Sequence, residues 1–152
     1  MTRSLTLPPV SRRTLLALSS ATVLTACASR PSLLIGPGRG SGDLGLVIER
    51  ESGSIGVLDT TARTRLGTVS GLGDLSHASV VFSRDGALAY VFGRDGALTK
   101  VNLITGRIEG RVMQAGNSIG GAISTDGTLV VAQNYQPGGV KVFDARTLRP
   151  LA

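Results

Sequence analysis

One histidine, two arginines and a tyrosine combine the chemistry and the spacing needed to act on a ligand. His77 is the only histidine of the chain and stands directly ahead of the apolar run Ala78-Ser79-Val80-Val81-Phe82. An imidazole at the entrance of a strand can ligate a metal or move a proton near neutral pH; it can equally do no more than hydrogen-bond a neighbouring loop. Arg50 and Arg94 end the related strings VIER and VFGR, 44 positions apart. Two guanidiniums projecting from equivalent places would suit carboxylates, which the planar fork takes bidentately, although solvated turn arginines would read the same way. Tyr135, in Asn134-Tyr135-Gln136-Pro137, holds the corresponding place after VAQ and could stack on a flat ligand or plug a loop. Cys27 is the single cysteine, so no internal disulfide can form.

The elements around these residues read as short strands. The central stretch carries Arg84-Asp85-Gly86-Ala87-Leu88 and then Arg94-Asp95-Gly96-Ala97-Leu98. Asp-Gly between β-rich runs marks tight turns, because glycine accepts the positive φ they need. Strands are predicted at Leu46–Glu49, Ser54–Asp59, Arg65–Ser70, around and after Ala78–Phe82, and at Glu109–Gln114, Ser118–Ile123, Leu129–Gln133 and Gly139–Asp144, about ten in all by the turn signals. Glycine numbers 21 and tryptophan is absent, a composition for many tight turns rather than helices packed on large side chains. Phe82-Ser83-Arg84-Asp85-Gly86-Ala87-Leu88 recurs 41 positions later as Ile123-Ser124-Thr125-Asp126-Gly127-Thr128-Leu129. Val57-Leu58-Asp59, Val101-Asn102-Leu103 and Val142-Phe143-Asp144 repeat at intervals of 44 and 41. A four-stranded unit of that period is a β-propeller blade, so the fold class is all-β. Blade one spans Leu46–Ser70 without its first strand, blade two His77–Gln114, and blade three starts near Ser118 and stops inside its last strand. Since propellers close with roughly four to eight blades, three blades are expected to be the N-terminal part of a longer protein.

The net charge of +6 is not a nucleic-acid footprint. Arg3, Arg12, Arg13 and Arg30 account for most of it, and the remaining chain balances 12 basic against 10 acidic residues. With no basic stripe and almost no stacking aromatics, a nucleic-acid partner is excluded. Residues 1–27 read as an export signal: Ser11-Arg12-Arg13-Thr14-Leu15-Leu16 resembles a twin-arginine motif, and a short apolar stretch follows. Leu24-Thr25-Ala26-Cys27 resembles a bacterial lipobox, which would make Cys27 the lipidated first residue of a periplasmic, membrane-anchored protein. An uncleaved anchor with an incidental cysteine is the plainer alternative. Residues 28–44 are rich in Gly, Pro and Ser and read as a linker to a domain over 45–152. The run Gly36–Gly42 lacks the ending and the strand-to-helix frame of a phosphate loop.

The strings VIERESGSIGVLDTTARTRLGTV, HASVVFSRDGALAYVFGRDGALTKVNL and NYQPGGVKVFDARTLRP resemble the d1-haem propeller of the cytochrome cd1 nitrite reductase family. That resemblance implies an eight-bladed propeller that binds an iron tetrapyrrole. It implies His77 as the proximal iron ligand or a catalytic proton-transfer group, Arg50 and Arg94 as clamps for the tetrapyrrole carboxylates, and Tyr135 as a pocket residue. Further basic positions of the reductase appear here as Val80 and Asn117, and no CxxCH motif provides for a covalent haem. With the lipobox, the resemblance points to the exported branch of the family that serves haem d1 biosynthesis in denitrification. Such a protein would bind, and as a possible enzyme modify, a haem d1 precursor, with other maturation proteins and the nitrite reductase as partners. The rival from another class is a non-catalytic propeller lipoprotein that scaffolds envelope proteins.

Overall fold

The computed structural model describes residues 41–152. The export-signal and lipidation readings, with Cys27, and most of the linker lie outside the described residues. A short 3-10 turn, Ser41–Asp43, leads into ten strands: β1 Leu44–Glu49, β2 Ser54–Asp59, β3 Thr64–Val69, β4 Ser79–Phe82, β5 Leu88–Phe92, β6 Ala97–Asn102, β7 Arg107–Met113, β8 Asn117–Ile123, β9 Leu129–Gln136 and β10 Gly139–Asp144. They form three antiparallel meanders, β1-β2-β3, β4-β5-β6-β7 and β8-β9-β10. These are the three predicted blades of an all-β propeller. The first meander lacks one strand. The third gains the start of its fourth, since Phe143 bridges Pro150, the Leu151 N–H donates to Val142 C=O at 2.8 Å, and Asp144 N–H donates to Arg149 C=O at 3.0 Å.

The repeated sequence markers turn out to be turn chemistry. Ser83 Oγ donates to Asp85 Oδ1 at 2.5 Å and accepts Leu88 N–H at 2.9 Å; Ser124, Asp126 and Leu129 repeat both bonds. The Ser124 hydroxyl, with the N–H and hydroxyl of Thr128, holds the Asp126 carboxyl down at about 2. The other marker works likewise: Asp59 accepts Ala62 N–H at 2.7 Å, Asn102 accepts Ile104 and Thr105 N–H at 3.0 Å each, and Asp144 accepts Thr147 N–H at 2.8 Å. Such short side-chain acceptors mimic a backbone turn. They fix where each strand ends and hence the register of the next.

The middle sheet is buried on both faces. Ala89, Val91, Val101 and Leu103 pack with Ile55, Val57, Val69, Leu72 and Leu75 on the side of the first sheet. Tyr90, Phe92 and Leu98, one residue out of phase, pack with Val130, Ala132, Phe143, Ala145 and Leu148 of the third. That two-residue alternation is the pleat of a strand. Polar ties reinforce the second seam: Tyr90 Oη donates to Ala145 C=O at 2.9 Å, and the buried Lys100 ammonium to Arg146 C=O at 2.5 Å.

A second contact repeats from blade to blade. The segment leaving one sheet for the next crosses the β-hairpin turn of the sheet it leaves, at a glycine. Leu72 N–H donates to Gly53 C=O and Gln114 N–H to Gly96 C=O, both at 3.0 Å. Gly53 and Gly96 have φ of +61° and +84°, and a Cβ there would lie 2.4 Å from Gly73 O and 1.9 Å from Ala115 O. Only glycine serves, on grounds of both conformation and space. Gly71 shares the positive φ, at +86°, but has nothing within 4 Å. Gly96→Ala should therefore cost clearly more than Gly71→Ala, roughly 2 kcal/mol or more against about 1 for the φ effect alone. Urea unfolding midpoints of the full-length variants check the order, and equal losses would show that the crossing is loose.

Candidate functional site

The elements just described deliver side chains to one rim. The connector from β3 to β4 carries Asp74 and, in a turn just ahead of β4, the exposed His77. Ala78 N–H closes that turn on Leu75 C=O at 3.1 Å. Arg94 sits in the β5–β6 turn, and its backbone N–H donates to Asp74 C=O at 2.8 Å, tying the two loops together. Gly93 beside it cannot carry a side chain freely, because a Cβ would come 2.6 Å from Asp95 Oδ1 and 3.3 Å from Asp74 O. The connector from β7 passes Gly96 and opens β8 with Asn117. Tyr135, near the end of β9, is 73% exposed, and Gly116 N–H bonds the next residue's carbonyl, Gln136 C=O, at 3.0 Å.

His77, Arg94 and Tyr135 thereby line one hollow of about 350 Å³, completed by Asn117 and Ile119. Three of the four side chains singled out from spacing are brought together. Arg50 is not: it lines a separate, shallower depression in the β1–β2 turn with Glu49, Glu51 and Ser52. It occupies the place in the first blade that Arg94 holds in the second, which is the equivalence read from the 44-residue interval. Val80 points into the core and packs against the first hydrophobic cluster, so it has no part in the hollow.

Two polar features go beyond the sequence reading, which left Asp74 out and took Asn117 only as a departure from a basic position. Asp74 carries a carboxylate whose Oδ1 accepts Ser76 N–H at 2.9 Å. The Ser76 hydroxyl and N–H, followed by the positive charges of Arg94 and His77, hold its pKa below the ordinary value. An Asp two residues before a Ser in a glycine-rich connector is a visible Asx-turn signal; its nearness to Arg94 is not, because that depends on two loops meeting. The other feature is Asn117, whose buried Oδ1 has no hydrogen-bond partner, as is true of Asn134 Oδ1 on the neighbouring strand. Leaving a buried acceptor unpaired costs roughly 1–3 kcal/mol. Among the described residues no group of three His, Cys, Asp or Glu could hold a bare metal ion. A metal delivered inside an organic ligand, by contrast, needs few protein donors. One imidazole, one guanidinium for an acid arm and one phenol ring are a set of groups that fits an iron tetrapyrrole.

A propeller sheet order with this rim defines a class. The cytochrome D1 heme domain matches residues 39–152, and the chain belongs to that family. It is similar to protein NirF of Pseudomonas aeruginosa, with 62% identity over 131 residues, covering 86% of this chain and 32% of that protein. It is 57% identical over 140 residues to protein NirF of Stutzerimonas stutzeri, covering 92% of this chain and 34% of the relative. The chain thus spans about a third of the length of these curated relatives. Among solved structures it superposes with a TM-score of 0.69 on the dihydro-heme d1 dehydrogenase NirN in complex with DHE, at 28% identity, covering 74% of this chain and 24% of that one. Kuenenia stuttgartiensis hydrazine synthase follows at a TM-score of 0.66 and 16% identity over 73% of this chain and 32% of its own, a likeness of fold alone.

If Ser76 anchors Asp74 as described, Ser76→Ala should raise the Asp74 carboxyl towards its ordinary value. The group is depressed in the folded state, so its stabilising share is present above the unfolded pKa and is lost as pH falls through the folded one. The variant should narrow that acid window. Carboxyl chemical shifts followed against pH give the answer, and an unmoved midpoint would remove the hydroxyl as the cause.

Proposed function

We propose that the protein serves haem d1 biosynthesis by binding an iron tetrapyrrole precursor over this rim and helping to process it. The observation that carries the reading is the convergence of His77, Arg94 and Tyr135 on one hollow in a domain of the cytochrome D1 heme family. NirF relatives and a NirN structure solved with DHE support it.

Each side chain has a task. The His77 imidazole would hold the iron of the ligand or carry a proton beside it. The Arg94 guanidinium would take an acid arm of the ring, since its planar fork suits a carboxylate. Arg50 would offer the same group from the neighbouring blade. The Tyr135 ring and Ile119 would cover apolar ring surface. The tetrapyrrole supplies its own Lewis acidity and redox capacity, and the protein contributes orientation and charge. The export signal and Cys27 would hold this chemistry on the periplasmic side of a membrane, where a nitrite reductase could receive the product.

Full-length protein mixed with an iron tetrapyrrole should shift the Soret band, and His77→Ala should abolish the shift while leaving the fold intact by circular dichroism. Arg94→Ala should weaken binding about tenfold or more, the scale of a lost charge-assisted pair. Absence of any shift with any tetrapyrrole would favour the scaffold reading instead. For the anchor, Cys27→Ser should release the protein from the membrane fraction into the soluble periplasm; a variant that stays with the membrane would refute lipidation at Cys27.

A further inference from the structure

Each connector is held twice where it crosses from one sheet to the next. Leu72 gives its N–H to Gly53 C=O of the blade it leaves, and its own carbonyl accepts Arg111 Nη2 of β7, in the blade it enters, at 3.3 Å. Gln114 repeats the pattern, with its N–H on Gly96 C=O and its carbonyl accepting the Lys141 ammonium of β10. A cation from the next blade thus closes on both crossings. Arg111 goes further. The same nitrogen donates to Asp95 Oδ2 at 2.6 Å, and Asp95 Oδ1 accepts Ala97 N–H at 3.1 Å. Asp95 directly follows Arg94, so one guanidinium touches both the connector that leads to His77 and the turn that presents Arg94. Gly73 makes the close fit possible: it holds a φ of +85°, and a Cβ there would collide with Asp95 Oδ2 and Arg111 Nη2.

Hydrophobic anchoring alone would not set this position. The Leu72 and Leu75 side chains are buried in the first core, which fixes the depth of the connector. Apolar burial has no preferred direction, so it leaves the connector free to shift sideways past the second hairpin. A charge-assisted hydrogen bond is short and directional, and Arg111 makes its bonds across that seam. The bond from Arg94 N–H to Asp74 C=O, at 2.8 Å, follows two residues further along the connector.

Resting on the tetrapyrrole reading above, we propose that Arg111 and Asp95 are positioning residues, whose ion pair sets the spacing of His77 and Arg94. Imidazole and guanidinium then meet the iron and an acid arm of one ligand together. Neither Arg111 nor Asp95 lines the hollow. Both act through the loops that carry the residues that do.

The test pairs a ligand-free measurement with a ligand-bound one on the full-length protein, with haemin as the probe. In Arg111→Met, which keeps the apolar stem, amide hydrogen exchange over residues 73–78 and at Arg94 should quicken about tenfold, the scale of one lost charge-assisted hydrogen bond. Asp95→Asn should do the same, and Arg111→Lys should restore most of the protection. The urea midpoint should stay close to wild type, because an ion pair whose side chains are 34% and 26% exposed adds little global stability. Haemin affinity by Soret titration should fall about fivefold in Arg111→Met. The ferric electron paramagnetic resonance signal, single in the wild type, should broaden as the imidazole–iron geometry scatters. Lys141→Met, which frees the other connector, should quicken exchange over residues 114–119 and leave that signal sharp. Unchanged exchange in Arg111→Met would overturn the clamp, and so would exchange quickened equally over β8 and β9. Quickened local exchange with affinity and resonance signal both unmoved would overturn the positioning role. No Soret change with the wild-type protein would overturn the tetrapyrrole reading itself, and this inference with it.

Discussion

Everything on the functional rim depends on the passage of each connector over a hairpin glycine. Where the chain leaves the first sheet, Leu72 bonds Gly53; where it leaves the second, Gln114 bonds Gly96. Both crossings are so close that no side chain fits beneath them. A connector held this way emerges at a set height above the sheet, and the residues that follow are aimed before any ligand arrives. Asp74 and His77 come off the first crossing, and Asn117 comes off the second. The remaining lining residues are Arg94 from the β5–β6 turn, Ile119 from β8 and Tyr135 from β9. The hollow is therefore built from strand residues together with loops whose backbones are hydrogen-bonded to rigid neighbours, the arrangement in which loops can carry binding residues without wandering.

The crossings hold because the sheets beneath them cannot slide. β5 and β6 present alternate residues to two different cores, so a one-residue slip would exchange Ala89 and Val91 for Tyr90 and Phe92 on opposite faces. Phe92 and Leu98 are fully buried, and a Cβ on Gly121 would collide with the Phe92 ring at 2.4 Å. Such packing leaves one register. The Ser–Asp and Asx turns then fix the chain length between strands. Register and turn length together carry the blade-to-blade equivalence that places Arg50, Arg94 and Tyr135 at matching points.

That equivalence is why much of the molecule was legible in the sequence. A blade repeats both its core pattern and its turn chemistry. The strands therefore fell within a few residues of their predicted bounds, although the Val-Asn-Leu marker was aligned one residue out: Asn102, not Leu103, takes the turn role of Asp59 and Asp144. Leu44 begins β1 at the last residue assigned to the linker, because its partner Asp59 extends the ladder that far. Arg94 and Tyr135 were readable for the same reason, being turn and strand-end residues at a fixed phase of the repeat. Asn117 was noted only as a departure from a basic family position, and nothing in its neighbours announces that its oxygen is buried without a donor. Asp74 was invisible as a partner of Arg94 because the contact joins a connector to a turn of a different hairpin, and no period encodes it.

Exposure and restraint are divided unevenly in this rim, and the division bears on what binding requires. The backbones of Arg94, Gly116 and Ala78 are all hydrogen-bonded, yet the Arg94 and Tyr135 side chains project into solvent. A ligand settling here therefore orders a few rotamers and no backbone, a cost of about 0.5–1.5 kcal/mol for each long side chain immobilised. On the proposed reading, a flat ligand would recover that through ring area laid on Tyr135 and Ile119 and through one charge-assisted pair at Arg94. Neither is specific alone, since any acidic porphyrin offers both.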